Sequence, residues 1–270
     1  MLIAERQAKL KDLLARRGIS DLDTLAAELS VSQSTIRRDV ENLEQSGFVK
    51  RTHGGVIWLG EQANPTGRGS TQARPYAFDQ RTHFKADVKR QIAQAASKLV
   101  EPGHTIIIDG GTTTWYFAQE LVGRSLQLIT NSLPIANLFT NDENVELILT
   151  GGLVYPRNGV LLGPAVEATL STVHAKTLFF SAAGIHAGAL YNQNLLLVQS
   201  ELRMMAQAQQ IVMLADAAKF ETQALAFLCR LDEVDIVISD EALPEHHRQA
   251  IRAAGCELII APAHQAGSAQ

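Results

Sequence analysis

The sequence predicts an α/β protein in two parts: a small helical unit with two short strands, then a larger domain on a largely parallel sheet. Three observations predict it. Apolar residues recur at helical spacing near the N-terminus and give way to two short apolar runs around a Gly-Gly pair. Residues 60–76, GEQANPTGRGSTQARPY, hold no hydrophobic period and are rich in Gly, Pro, Ser and Thr, as a flexible linker is. Beyond them, short apolar runs alternate with amphipathic stretches, the pattern of strands joined by helical crossovers.

In the first part, Ile3, Leu10, Leu13 and Leu14 share a helical face, and Gly18 follows as a stop. Ser20, with Asp23 three places on, starts a second helix in the manner of a capping box. Its stripe is Leu22, Leu25, Ala26 and Leu29. Ser32 caps a third helix, whose inward residues are Ile36, Val40 and Leu43 and whose stop is Gly47. Ser30 and Val31 alone separate the two before that cap, which is the helix-turn-helix signature. FVKRTHGGVIW then reads as strands over 48–51 and 56–58, turning at His53-Gly54-Gly55, so the unit is winged.

The third helix sorts its residues by face. With the apolar stripe inward, Ser34, Arg37, Arg38 and Glu41 point outward, and Gln33 and Thr35 flank them. The N-terminal end of such a helix enters the major groove. Arginine pairs bidentately with guanine, and Ser, Thr and Gln reach phosphates or base edges. Lys50, Arg51 and His53 are placed along the sugar-phosphate backbone. Periodicity alone leaves a second reading open, a three-helix interaction domain with solvated arginines.

In the second part, Val88, Ile92, Ala95, Ala96 and Leu99 form one helical face. Strands are expected at 105–108, 126–130, 145–149, 177–181, 211–214, 234–239 and 257–260, and helices at 114–122, 132–139, 199–209 and 244–254. Open parallel sheets bind ligands beyond the carboxyl ends of their strands. After the first strand comes Asp109-Gly110-Gly111-Thr112-Thr113-Thr114. Paired glycines admit an anion, and hydroxyls and amides at a helix start donate to it. The loop has neither a P-loop lysine nor a full G-x-G-x-x-G, so neither an NTP nor a dinucleotide is indicated. A plain strand-to-helix turn is the competing reading. Asn131 and Ser132 follow the next strand, where they either cap a helix or bind a hydroxyl. Gly151-Gly152 is a close-approach or turn element. Asp216 and Lys219 form a carboxylate–amine pair suited to a polyol or sugar phosphate, or a plain salt bridge. Glu201 is a further lining candidate.

The string LAAELSVSQSTIRRDVENLEQSGFVKRTHGGV closely resembles the DNA-binding domain of the DeoR family of bacterial transcription regulators. The matching residues are Ser32, Thr35, Ile36, Arg37, Arg38, Asp39, Leu43, Gly47, Arg51, His53, Gly54 and Gly55. DGGTTT, ITNS, LTGG, LLGPAVE and ADAAKF occur in the order found in that family's C-terminal sensor domain. The resemblance implies a winged helix-turn-helix joined to a Rossmann-like sensor related in fold to ribose-5-phosphate isomerase and coenzyme A transferases. It implies operator double-stranded DNA and a phosphorylated sugar as partners, and a homo-oligomer, dimer or tetramer. The role it implies is repression of a carbohydrate-utilisation operon, without a cofactor or a metal. It places the phosphate at Gly110–Thr114, and sugar contacts at Asn131, Asp216 and Lys219. Two departures stand out: Gly110-Gly111, where relatives often carry a polar residue before the second glycine, and GIHAGALYNQNLLLVQSE, where His186, Tyr191, Asn192, Gln193 and Asn194 are candidates for an altered specificity.

The expected divisions are a DNA-binding domain over 1–58, a linker over 59–76, an effector-binding and oligomerisation domain over 77–262 and a tail over 263–270. Charge follows them. Residues 1–58 hold nine Lys/Arg and eight Asp/Glu, 59–90 six and three, and 91–270 nine and seventeen. Arg68 and Arg74 in the linker are solvated or touch DNA. An isomerase is disfavoured, because LVYPRNGVLLG lacks an acidic-then-basic catalytic stretch: it has no Asp or Glu before Glu167, and Arg157 is its one cation. The candidate residues for such chemistry are Asp109, Asp216, Glu201 and Lys219. With aromatics at 6%, a stacking single-strand binder is also disfavoured. Two cysteines, no signal-peptide pattern and no apolar run near the roughly 20 residues of a bilayer span predict a cytoplasmic protein without membrane contact.

Overall fold

The computed structural model describes residues 3–17, 19–29, 31–45, 49–51, 55–58 and 78–263. The chain divides into two compact units, Met1–Tyr76 and Ala77–Gln270. The expected linker over 59–76 and all but the first residue of the expected tail lie outside the described residues.

The first unit runs α1 (Ile3–Arg17), β1 (Ile19–Asp21), α2 (Leu22–Glu28), α3 (Gln33–Gln45), β2 (Val49–Arg51) and β3 (Gly55–Trp58). Its core is the stripe read from the sequence: Leu10, Leu14, Leu25, Ile36 and Val40 are fully buried, joined by Val49 and Val56 from the strands. β2 and β3 pair antiparallel as expected. β1 was not anticipated; it pairs antiparallel with β3 and completes a three-stranded sheet. It also corrects the cap of α2. Ser20 is buried in β1, and Asp21 caps the helix, its Oδ1 accepting from the Thr24 amide at 2.8 Å. The aspartate one residue nearer the helix has the reach that Ser20 lacks.

The second unit runs α4 (Phe78–His83), α5 (Ala86–Ser97), β4 (Thr105–Ile108), α6 (Thr112–Gln119), β5 (Leu126–Thr130), α7 (Leu133–Phe139), β6 (Val145–Leu149), β7 (Leu153–Tyr155), β8 (Val160–Leu162), α8 (Pro164–Leu170), β9 (Ala175–Phe180), β10 (Gly184–His186), β11 (Ala189–Asn192), α9 (Leu195–Ala206), β12 (Ala208–Leu214), β13 (Ala226–Arg230), β14 (Ile236–Asp240), α10 (Glu245–Ala253) and β15 (Glu257–Ala261). Seven strands form one parallel sheet in the order β15-β14-β12-β9-β4-β5-β6.

The strands are apolar along their length because both faces of the sheet are covered. Alternate residues go to opposite sides. Ile106, Ile108, Leu128, Phe179, Val212 and Ile238 pack with α5, α6 and α7. Ile107, Ile129, Leu178, Phe180, Met213 and Val237 pack with α8, α9 and α10. Each of the seven strands falls where its apolar run predicts, within two or three residues at either end. The hairpin β7-β8 and the antiparallel sheet β10-β11-β13 were not anticipated. Among the described residues, no helix is long and apolar enough to cross a membrane.

Candidate functional site

The first unit presents the outer face of α3. Ser34, Arg37 and Arg38 are exposed there, and Thr35 is half-buried. Arg38 lines a groove of about 220 Å³ with Arg6, Ser34, Thr35, Asp39 and Asn42. Asp39, although beside two arginines in sequence, turns inward. It is buried and takes the Arg6 guanidinium of α1 at 2.5 and 3.2 Å, which fixes α1 against α3. That pairing also holds Arg6 above its ordinary pKa.

Two predicted DNA contacts have structural work within the unit. Ser32 Oγ accepts from the Thr35 amide at 3.3 Å and lies 2.9 and 2.8 Å from the hydroxyls of Ser34 and Thr35, so it caps α3. The Gln33 side chain donates to Asp23 of α2. Lys50 and Arg51 sit on β2 as expected, with their side chains outside the described residues, as is His53 altogether. Asn42, one turn beyond Arg38, lines the same groove.

In the second unit the chain starts its main sheet at β4, winds outward through β5 and β6, and returns to β9 on the other side of β4. This reversal is a topological switch point, where α/β sheets open a crevice at their carboxyl ends. The loop 109–112 leaves β4 at that point. Gly110 is packed so closely that a Cβ would lie 2.1 Å from Val160 Cγ1 and 3.3 Å from Ser132 Cβ. This explains the departure at Gly110-Gly111: no side chain fits there. Gly111 starts α6, whose first-turn amides have no partner within the helix. Thr112, Thr113 and Thr114 are buried around it, and Thr114 Oγ1 donates to the Gly111 carbonyl at 3.0 Å.

Asn131 and Ser132 follow β5 and are fully buried. Ser132 caps α7, its Oγ accepting from the Ile135 amide at 3.4 Å. Asn131 Nδ2 donates to the Leu161 carbonyl at 3.4 Å, while its Oδ1 is buried without a protein partner. Gly151 and Gly152 are exposed and carry the turn from β6 to β7. Gly152 has φ +117°, and a Cβ on it would lie 2.9 Å from the Leu162 carbonyl oxygen.

The charge in this region was largely unanticipated. Asp216 follows β12 and takes Lys85 Nζ at 3.1 Å, rather than forming the ion pair with Lys219 that the sequence suggested. Its Oδ1 also accepts from the Ala218 amide at 3.1 Å, which shapes the single 3₁₀ turn Ala217–Lys219. Lys85 precedes α5. Lys89, one turn later, is buried and donates to the Arg81 carbonyl. Arg81, near the end of α4, buries Nε and Nη2 without a protein partner. Tyr116 of α6 reaches back to this segment, its hydroxyl donating to the Thr82 carbonyl at 3.3 Å.

Lys85, Lys89 and Lys219 share Asp216 as a counter-charge, and Arg81 adds its positive charge beside Lys89 and Lys219. Burial pushes the Lys89 ammonium down to about 8; Asp216 opposes this, and Lys219, Arg81 and Lys85 add to it. Lys219 is lowered by burial first, against the pull of Asp216. Arg81 is lowered by burial and then by Arg157 of the β7-β8 hairpin. Three lysines around one carboxylate, with part of the neighbouring Arg81 guanidinium buried and unsatisfied, leave positive charge that an anion would complement.

Beneath the loop lies a carboxyl pair. Asp109 and Glu201 are both buried. Burial pushes Asp109 up to about 6, while the Gly110 amide and Glu201 pull it back. Burial and the neighbouring Asp109 charge raise Glu201 well above the usual carboxylate range. Asn192 Nδ2 donates to Glu201 Oε1. Glu201 Oε2 is buried with no hydrogen-bond partner among the described residues, which adds to the cost of ionising it beside Asp109. Glu201 therefore supports the loop from below. Asn192 and Asn194 are likewise occupied: Asn192 holds Glu201, and Asn194 caps α9 through the Leu196 amide at 2.7 Å.

Residues 6–62 match the DeoR-like helix-turn-helix domain, and residues 85–241 match the DeoR C terminal sensor domain. The chain is 30% identical over 269 residues to YulB, an uncharacterized HTH-type transcriptional regulator of Bacillus subtilis, covering 99% of this chain and 100% of that protein. It is also 30% identical over 262 residues to the HTH-type transcriptional regulator UlaR of Shigella dysenteriae, covering 96% and 99%. Among solved structures, it is similar to ribose 5-phosphate isomerase A of Methanocaldococcus jannaschii, with TM-score 0.37 and 20% identity over 50% of this chain and 54% of that one. A second is eIF2B beta of Chaetomium thermophilum, with TM-score 0.41 and 18% identity over 62% and 53%.

Proposed function

Because the chain belongs to the DeoR family of transcription regulators, we propose that a phosphorylated sugar bound in the crevice of its second unit controls how tightly α3 holds operator DNA. The protein is a DNA-binding regulator, and its relatives are regulators rather than enzymes. The regulated genes, in this reading, serve carbohydrate utilisation, and the regulator represses them.

The observation that carries the reading is the surplus of buried positive charge at Arg81 and Lys89, beside Lys219 and Lys85. A phosphate dianion supplies the missing acceptors. The amides of the first turn of α6 add donors, since helix N-termini favour anions. Asp216 and Asn131 Oδ1 are acceptors suited to sugar hydroxyls. A homo-oligomer, with one α3 per half-site, raises effective concentration on a two-fold operator. A ligand shifts such an equilibrium only by its difference in affinity for the free and DNA-bound states. The test is operator affinity by fluorescence anisotropy, with and without phosphorylated sugars. A phosphorylated sugar that changes the affinity while its unphosphorylated parent does not supports the reading; equal affinity with every compound refutes it.

A further inference from the structure

We propose that Glu221, His246 and His247 form a binding site for a divalent transition-metal ion of the zinc class. Glu221 follows the 3₁₀ turn Ala217–Lys219, and the two histidines lie in the first turn of α10. His246 Nε2 lies 3.2 Å, and His247 Nε2 3.3 Å, from the same oxygen, Glu221 Oε1. One ligand atom from each of the three residues lies within 4.8 Å of the others.

This convergence is unusual for neighbours in a helix. Side chains at i and i+1 diverge and do not face each other. Here the rings stack with centroids 4.0 Å apart, and both Nε2 atoms turn to one carboxylate. A cation held by one ligand atom from each residue accounts for both rings turning to a single carboxylate oxygen. Ligands held at 2.0–2.2 Å in a tetrahedron stand about 3.3–3.5 Å apart, close to the two N–O separations seen.

The surroundings support a built site. His247 is largely buried and packs on Phe220 with ring centroids 5.1 Å apart, which limits its motion. Glu221 and His247 line a cavity of about 60 Å³ with Ile185, His186 and Leu231. That volume holds water molecules to complete the coordination. Two imidazoles and one carboxylate favour zinc, nickel, copper or cobalt over magnesium and calcium, which take all-oxygen sets. Glu221 is two residues beyond Lys219 and five beyond Asp216. A metal at this site therefore ties the loop carrying both residues to α10.

The test uses tag-free full-length protein titrated with Zn²⁺ by calorimetry in a non-chelating buffer. One Zn²⁺ per chain is expected, with affinity falling as acid protonates the imidazoles. His247→Ala and Glu221→Gln should each weaken binding at least tenfold, because loss of a direct ligand exceeds the roughly 10–100-fold cost of losing an outer-shell partner. Their unfolding in EDTA should match the wild type. Absence of saturable Zn²⁺ binding, or unchanged affinity in both variants, overturns the proposal. Should a variant fail to fold, Co²⁺ added to the wild type gives an independent reading. An intense visible absorption band of low-symmetry Co²⁺ supports the site; the spectrum of hexaaquo Co²⁺ overturns it.

Discussion

Gly110 and Val160 are in contact through a backbone that tolerates no side chain: a Cβ on Gly110 would stand 2.1 Å from Val160 Cγ1. The β7-β8 hairpin thereby roofs the loop leaving β4. Gly110→Ser should overpack this contact and cost about 1–3 kcal/mol. Val160→Ala in the same chain should recover part of that loss, with a coupling of about 0.5–3 kcal/mol. Thermal unfolding of the two single variants and the double variant measures it. A Gly110→Ser protein as stable as wild type would show that the contact is wrongly placed.

The carboxyl pair beneath the loop gives a pH signature. Asp109 is raised from 3.8 to about 6, and Glu201 is raised as well. Groups raised on folding contribute stability that is present at low pH and lost as pH rises through the folded value. Stability from this pair should therefore fall as pH climbs through about 6. Glu201→Gln keeps an acceptor for Asn192 and removes one of the two titrating carboxyls, so it should flatten that fall. Glu201→Ala leaves the Asn192 amide without its acceptor and should cost about 1–3 kcal/mol. Chemical denaturation from pH 4 to 8 checks both; identical pH profiles in wild type and Glu201→Gln would show that Glu201 plays no part in that fall.

If the crevice binds a phosphate as proposed, Lys89 sets the upper pH limit of that binding. Burial pushes its ammonium down to about 8, and a bound phosphate dianion would raise it. Affinity for a phosphorylated ligand should therefore decline as pH rises through about 8, with proton uptake on binding just above it. Lys89→Ala should lose about 10–100-fold, the worth of one charge-assisted hydrogen bond of roughly 1.5–3 kcal/mol. Calorimetry in buffers of different ionisation enthalpy reads both. A flat profile from pH 7 to 9.5 would take Lys89 out of the site.

On the DNA side, Arg38→Ala should weaken operator binding by about 1–3 kcal/mol and relax preference at one base pair. An equal loss on every sequence would reassign Arg38 to phosphate contact. Operator affinity should also fall steeply with salt, since phosphate contacts release counterions.

Much of this fold is legible in the sequence because its central strands are buried on both faces. Runs such as Ile106-Ile107-Ile108 leave no other placement, and Ile36, Val40 and Leu43 fix the face of α3. The short strands β7, β8, β10 and β11 were not legible, because three or four residues pairing across a turn carry no period to detect. The candidate loops at Asp109–Thr114, Asn131-Ser132 and Gly151-Gly152 come from the strand-end rule, which looks only downstream of each strand. Arg81, Lys85 and Lys89 lie upstream of β4, on α4, at the entry to α5 and within α5, so that rule passed over them. The Asp109–Glu201 pair spans 92 residues of sequence, and nothing local marks its partners.

The central claim is that the second unit senses a phosphorylated sugar. The most direct measurement is thermal unfolding of the purified protein against a panel of sugar phosphates and their unphosphorylated parents. A ligand at about 100 times its Kd adds roughly 2.7 kcal/mol to the folded state, a shift easily resolved. The account predicts that at least one phosphorylated sugar stabilises the protein, that its parent does not, and that Lys89→Ala removes the effect. Stabilisation by the parent sugar to the same degree, or by no member of the panel, would contradict it.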